Sequence, residues 1–249
     1  MTGNRSARGL FFTGTDTGVG KTVVTAAVAR LLRGRGHAVR VCKPVATGAA
    51  LVGGRWRSED TVRLAEAAGV AADEDVTPWA FAEPAAPPVA ARLHGTALTL
   101  EGLADAVRLR SGGRQPPEGA ALLVEGVGGL LCPLTERETV ADLAAALGFP
   151  LVVVARRSLG TLNHTLLTLE VAQGRRLRLA GVVVCETEPP RTLAEQTNVE
   201  ELAQRINVPL LGVVPHQADP FGAAAGLDGV DWWRLCRAGG VSPLSAAGG

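Results

Sequence analysis

The sequence predicts an α/β fold: a doubly wound, mostly parallel sheet with helices on both faces. Three observations carry this. Short apolar runs alternate with amphipathic helical segments along the chain. The apolar runs are rich in Val and Leu and lack a polar alternation, as strands covered on both faces do. Only 4% of residues are aromatic and none is Tyr, so the core must be built from Val, Leu and Ala.

The elements follow in order. "GLFFTG" (9–14) is a short apolar strand before a glycine-rich turn. "KTVVTAAVARLLRGRG" then sets Val24, Val28, Leu31 and Leu32 at helical spacing, with Gly34 or Gly36 as the stop. "AVRVCKPV" is a second strand, ended by Pro44. Residues 45–98 are weakly patterned and rich in Ala, Gly and Pro, with one helix expected at 59–68. Thr99 caps a helix that aligns Leu100, Leu103, Ala104 and Val107. "ALLVEG" (121–126) is a buried strand, "TVADLAAALG" a helix and "PLVVVA" a buried strand. "GTLNHTLLTLEVAQG" is a helix ended by Gly174, "LAGVVVC" a strand, and "VEELAQRI" a helix. "PLLGVVP" is the last strand, ended by Pro215. One domain is expected over residues 1–238, with a disordered tail at 239–249.

Composition excludes several classes of function. The formal net charge is +1, which gives no electrostatic case for nucleic acid or an acidic membrane surface. The cluster "GRRLR" (174–178) reads as a solvated helix end, whereas Arg156 and Arg157, after an apolar run, are more ambiguous. Cys42, Cys132, Cys185 and Cys236 show neither a C-x-x-C pair nor metal spacing. Reduced thiols in a cytoplasmic protein are expected. The polar start "MTGNRSARG" has no apolar segment of signal-peptide type, and no apolar run is long enough to span a bilayer.

The chemistry concentrates in "GTDTGVGKT" (14–22), between the first strand and the first helix. That context makes it a phosphate-binding loop. Backbone N–H groups of Gly18, Val19, Gly20 and Val23 would face phosphate oxygens, and the helix N-terminus adds partial positive charge. Lys21 is a compact three-donor cation for the terminal phosphates, and Thr22 offers a hydroxyl to Mg²⁺. The strict G-x-x-x-x-G-K-[ST] pattern fails, because Thr15 stands where its first glycine belongs. A nucleotide in such a loop also needs a metal ion and a second neutraliser of its phosphates. Glu125, in "VEGVGG" with Gly126, Val127 and Gly128, ends a buried strand at the carboxyl edge, where α/β ligands bind. Asp60, in "RSED", is a second candidate carboxylate, although Ser58 and Asp60 could simply open a helix. The chain has 25 basic residues but only two lysines, Lys21 and Lys43. Where a cation merely sits on a surface, this sequence uses arginine, so Lys43 in "VCKPVATG" requires a specific reason.

Taken together, "GTDTGVGKT", "CKPVATG", Asp60, "FAEPAAPP" (81–88), "VEGVGG" and "LGTLNHTLLTLE" (159–170) resemble the dethiobiotin synthetase family, in the family's order, from residue 10 to about 215. The resemblance implies a P-loop NTPase-like enzyme that joins 7,8-diaminopelargonate and CO2 at the expense of ATP, giving the cyclic urea of dethiobiotin. It implies a carbamate, then a carbamic–phosphoric anhydride. It makes Lys43 and Lys21 catalytic, and Thr22, Asp60 and Glu125 the Mg²⁺ ligands. Thr17 and Thr47 fall near the diamine. Gly160, Thr161, Leu162 and Asn163 match a helix start that holds the substrate carboxylate, donated by the second chain of a homodimer. Two departures stand out. Gly18 replaces a loop glutamate of some members. Cys185 and Glu186 stand where the family often has Asn-Asp to read adenine, so loose base specificity is expected, with Pro215, His216 and Gln217 matching a loop that touches the base. Two rivals share the loop. A partition-type ATPase would carry a lysine where Asp16 stands. A non-catalytic regulatory domain of this fold would not need Lys43, Asp60 and Glu125 together.

Overall fold

The computed structural model describes residues 8–72, 76–112, 119–216 and 222–237. The chain forms β1 (Arg8–Gly14), α1 (Lys21–Gly34), β2 (Val39–Cys42), β3 (Val45–Ala46), β4 (Ala50–Val52), β5 (Arg55–Arg57), α2 (Glu59–Ala68) and β6 (Trp79–Ala80). There follow α3 (Pro87–Leu93), α4 (Leu100–Gly112), β7 (Ala121–Gly129), α5 (Val140–Leu147), β8 (Leu151–Arg156) and α6 (Thr161–Gly174). The chain continues through β9 (Leu179–Cys185), α7 (Leu193–Arg205), β10 (Leu210–Val214), a 3-10 turn (Gly222–Leu227) and α8 (Trp232–Leu235).

Six strands form the central sheet in the order β10-β9-β8-β1-β7-β2. Every pairing in it is parallel. Parallel neighbours need crossover helices, which cover both faces. In β1, Leu10 and Phe12 point into one core, with Val24, Val28 and Leu32 of α1, Leu64 of α2 and Trp232 of α8. Phe11 points into the other, with Leu103 of α4, Leu143 of α5, Leu169 of α6 and Leu202 of α7. Both phenylalanines are fully buried, each contributing about 2 kcal/mol of apolar transfer. The expected doubly wound sheet is the one observed.

The elements that the sequence reading left out are short or locally encoded. Residues 45–98 hold, besides α2, the two-stranded β3–β6 ladder, the β4–β5 hairpin and α3. The hairpin turns on Gly53 and Gly54, both with positive φ, the signature of a two-residue primed turn. Helix α7 begins at Leu193, before Val199, because Thr192 and Glu195 form a capping box. Strand β7 runs on to Gly129, so Glu125 lies inside it, paired with Phe12, rather than at its end. The expected C-terminal tail and Gln217 lie outside the described residues.

Candidate active site

The phosphate loop leaves β1 and enters α1, a helix of 14 residues whose N-cap is Gly20 at φ 93°. The loop is tied to the sheet by Thr15, whose N–H donates to the Val154 carbonyl at 2.9 Å. Gly20 is required twice over. Its backbone is left-handed, and a side chain there would overlap the Cys185 thiol and come within 2.9 Å of Cys185 Cβ. At Gly14 an added Cβ would lie 2.8 Å from Lys21 Nζ. Lys21 is therefore free to fold back over the loop, where Nζ donates to the Asp16 carbonyl at 2.9 Å. The first-turn amides of α1 have no partner within the helix, so loop and helix present N–H groups to the same space.

Asp60 reaches this space from α2. Ser58 is the N-cap of α2 and accepts from the Thr61 N–H at 3.1 Å. The Ser58, Thr61 and Thr77 hydroxyls continue in a chain at 2.8 Å per step. Because Ser58 performs the capping, Asp60 remains available to the site. The helix-opening reading thus belongs to Ser58 and the site reading to Asp60.

Four side chains converge. The Thr22 hydroxyl lies 2.9 Å from Asp60 Oδ1 and 2.9 Å from Glu125 Oε1. Lys43 donates to Glu125 Oε1 at 2.8 Å and also bonds Asp60 Oδ2. Both lysines of the chain are buried here, Lys21 at 7% and Lys43 at 5% exposure. Burial opposes the charge on Lys43, but the Glu125 and Asp60 carboxylates outweigh it and hold the ammonium above the ordinary lysine range. Burial also lowers Lys21, helped by the nearby Lys43 and countered by Glu125. Burial alone would raise Asp60; the Lys43 charge, with hydrogen bonds from Lys43 and Thr22, brings it below the usual carboxylate value.

The residues fit a divalent cation. Two carboxylates and a hydroxyl are hard oxygen donors, the set that Mg²⁺ takes beside phosphate. Glu125 Oε2 is buried and has no hydrogen-bond partner among the described residues. A fully buried carboxylate oxygen without a donor is costly, and a metal ion would satisfy it.

The remaining residues matched by resemblance fall into three places. Thr17 is exposed on the loop, on the Gly128 side. Thr47 is half-buried, on a segment held to the 81–83 stretch by Ala49 N–H to Phe81 O at 2.9 Å and Gly48 N–H to Glu83 O at 3.1 Å. Gly126, Val127 and Gly128 continue β7 beside the loop. Gly160 is the left-handed N-cap of α6, with Thr161 buried and Asn163 exposed behind it. Cys185 is 3% exposed and packs against Gly20, and burial pushes its thiol up to about 11, aided by Glu186. Glu186 is salt-bridged to Arg157, and the His216 N–H donates to it at 3.0 Å. The sequence reading gave Arg156 and Arg157 no role. Arg156 lies 3.7 Å from Asp16 of the loop, and Arg157 is the partner of Glu186. Their signal was two adjacent cations at the carboxyl end of a buried strand.

A parallel sheet carrying a glycine loop, a buried lysine and a Thr–carboxylate pair at its carboxyl edge defines a P-loop nucleotide-binding protein. The AAA domain family matches residues 8–220. The fold is similar to that in the MinC:MinD cell division protein complex of Aquifex aeolicus, with a TM-score of 0.51 over 88% of this chain and 86% of that one at 14% identity. That likeness concerns the fold alone. The ATP-dependent dethiobiotin synthetase BioD of Anaeromyxobacter dehalogenans (strain 2CP-C) is 45% identical over 85% of this chain and 92% of its own length. That of Bacillus subtilis (strain 168) is 38% identical over 85% of this chain and 89% of its own. The chain belongs to the dethiobiotin synthetase family, a family of ATP-dependent ligases.

Proposed function

We propose that the chain carboxylates 7,8-diaminopelargonate with CO2 and ATP and closes the cyclic urea of dethiobiotin. The observation that supports this most is the burial of both lysines against Thr22, Asp60 and Glu125 at one phosphate loop. One amine of the diamine captures CO2 as a carbamate. The carbamate oxygen attacks the γ-phosphorus of ATP, the bond to ADP breaks, and a carbamic–phosphoric anhydride forms. The second amine attacks the carbonyl carbon and phosphate leaves.

The chain's residues divide this work. The loop amides and Lys21 bind the phosphates and fix the line of attack. Thr22, Asp60 and Glu125 would hold Mg²⁺, which supplies neutralisation of phosphate oxygens when bound. Lys43, on a flexible stem, follows the negative charge as it moves from carbamate to phosphoryl oxygens. Burial raises its strength there, since low polarity magnifies a preorganised charge. An arginine fork is rigid and bidentate and could not track a moving charge in the same way. Asp16, where a partition-type ATPase carries a lysine, argues against a dimer-bridging switch.

The site is completed by a second copy. Leu159 and Leu167, beside and along α6, are 81% and 56% exposed, an apolar surface flanking the anion-binding turn at Gly160. A homodimer that buries them would bring the 160–163 turn to the partner's diamine. The test of the whole reading is ADP release that requires both the diamine and bicarbonate. ADP release indifferent to either would overturn it.

A further inference from the structure

Arg157 lies just past β8, next to the nucleotide loop but outside the roles described above. Its guanidinium pairs with Glu186 at 2.5 Å, and the two side chains are only 18% and 11% exposed. It also donates to the carbonyls of Glu195 and Gln196 in the first turns of α7, the latter at 3.1 Å. Its backbone N–H donates to the Cys185 carbonyl at 2.9 Å. The second oxygen of Glu186 accepts the His216 N–H at 3.0 Å, and the Glu186 N–H donates to Val214 O at 2.9 Å. One ion pair therefore joins the carboxyl ends of β8, β9 and β10 to the start of α7. The residue before Glu186 is Cys185, which packs against Gly20 of the phosphate loop.

We propose that Arg157, acting through Glu186, is the positioning residue for the base end of the nucleotide site. Both Glu186 oxygens are engaged, so Glu186 holds the loop at Pro215 and His216 in place rather than reading a base itself. Cys185 is buried under Gly20 and is likewise turned away from that task. Base contacts then fall to the loop at Pro215 and His216, whose position depends on the pair. Arginine suits this because a planar fork can donate to three acceptors at once, whereas a lysine would lose the geometry. Removing a partner from a pair this buried leaves a charge without compensation and releases the loop. The inference rests on the nucleotide reading above.

The experiment is calorimetric titration of the full-length protein with ATP and, separately, with inorganic tripolyphosphate. It compares wild type, Arg157→Met, Arg157→Lys and Glu186→Gln. Arg157→Met and Glu186→Gln should each weaken ATP about tenfold or more. Tripolyphosphate affinity and KM for the diamine should stay within about twofold. Arg157→Lys should recover part of the ATP affinity. Equal weakening of both ligands, or no change in either, would overturn the role. If Arg157→Met fails to fold, Glu186→Gln, which keeps the side-chain shape, decides by the same criteria. A wild-type protein that binds tripolyphosphate but not ATP would overturn this role alone. One that binds neither would overturn the nucleotide reading as well.

Discussion

Removal of the Lys43 ammonium is the sharpest perturbation. Its Nζ lies 2.8 Å from Glu125 Oε1, and Glu125 is fully buried. In Lys43→Met the stem is kept and the charge is lost, so among the described residues Glu125 keeps only the Thr22 hydroxyl as a hydrogen-bond partner. Breaking a buried ion pair from one side costs about 3–5 kcal/mol. For a domain of this size each kcal/mol moves the melting temperature by about 2–4 °C, so a fall of roughly 6–20 °C is expected. Thermal melts with and without MgCl2 provide the assay. Because Thr22, Asp60 and Glu125 are also the oxygen set proposed to hold a cation, added Mg²⁺ should stabilise Lys43→Met more than wild type. Turnover tests the second half of the argument. If Lys43 stabilises transferring charge, kcat should fall by about a hundredfold or more, with nucleotide affinity far less affected. Lys43→Arg should rescue turnover poorly despite its charge. A Lys43→Met variant that melts within about 2 °C of wild type would refute the buried-pair account. One that keeps more than half of wild-type turnover would refute the catalytic role.

Four further outcomes are expected. Burial raises Cys185 from 9.0 to about 11 and Cys236 to about 12, so their neutral forms stabilise the fold fully below about pH 9. That stability should be lost as pH rises through 11 and 12, on the scale of about 3 kcal/mol for Cys185; a urea midpoint that is flat from pH 9 to 11 would contradict this. Gly20→Ala meets both the left-handed backbone and Cys185, and should abolish detectable ATP binding in calorimetry; wild-type affinity would show that the loop relaxes freely. Mixing Lys43→Met chains with Gly160→Val chains should restore about a quarter of wild-type activity, since half of the dimers would carry one intact site; no recovery from confirmed mixed dimers would count against a shared site. With Cys185 rather than an amide at the end of β9, CTP and GTP should support kcat/KM within about a hundredfold of ATP; a thousandfold preference would refute the idea.

What the sequence made legible follows from the range over which each feature is encoded. Phosphate loop, strand runs, α1, α2 and α4 to α6 are written within a few residues: glycine spacing, apolar period, a Ser or Thr cap. Ser58 shows the limit of this local reading. In sequence, Ser58 and Asp60 are interchangeable helix openers, and only the Thr61 and Thr77 hydroxyls decide which one caps. The short β3–β6 ladder was hidden for a different reason. Two residues carry no periodicity, and each pairs with a residue 34 positions further along the chain. The β4–β5 hairpin was left out as well, although its two adjacent glycines encode the turn locally.

The two kinds of cation in this chain show how charge type maps onto task. Arg156 lies within ion-pair distance of Asp16, and Arg157 bonds Glu186 and two carbonyls. A fork that satisfies several acceptors at once is well suited to holding loops that must not move. The two lysines occupy the opposite situation. Each is buried and held by exchangeable partners, a loop carbonyl for Lys21 and two carboxylates for Lys43, which phosphate, carbamate or a metal ion would replace in the proposed reaction. A point charge on a flexible stem can exchange those partners without losing geometry. The carboxylates hold Lys43 charged in spite of its burial, so the cation is already in place before substrate arrives. That explains why a chain that otherwise uses arginine keeps lysine at these two positions.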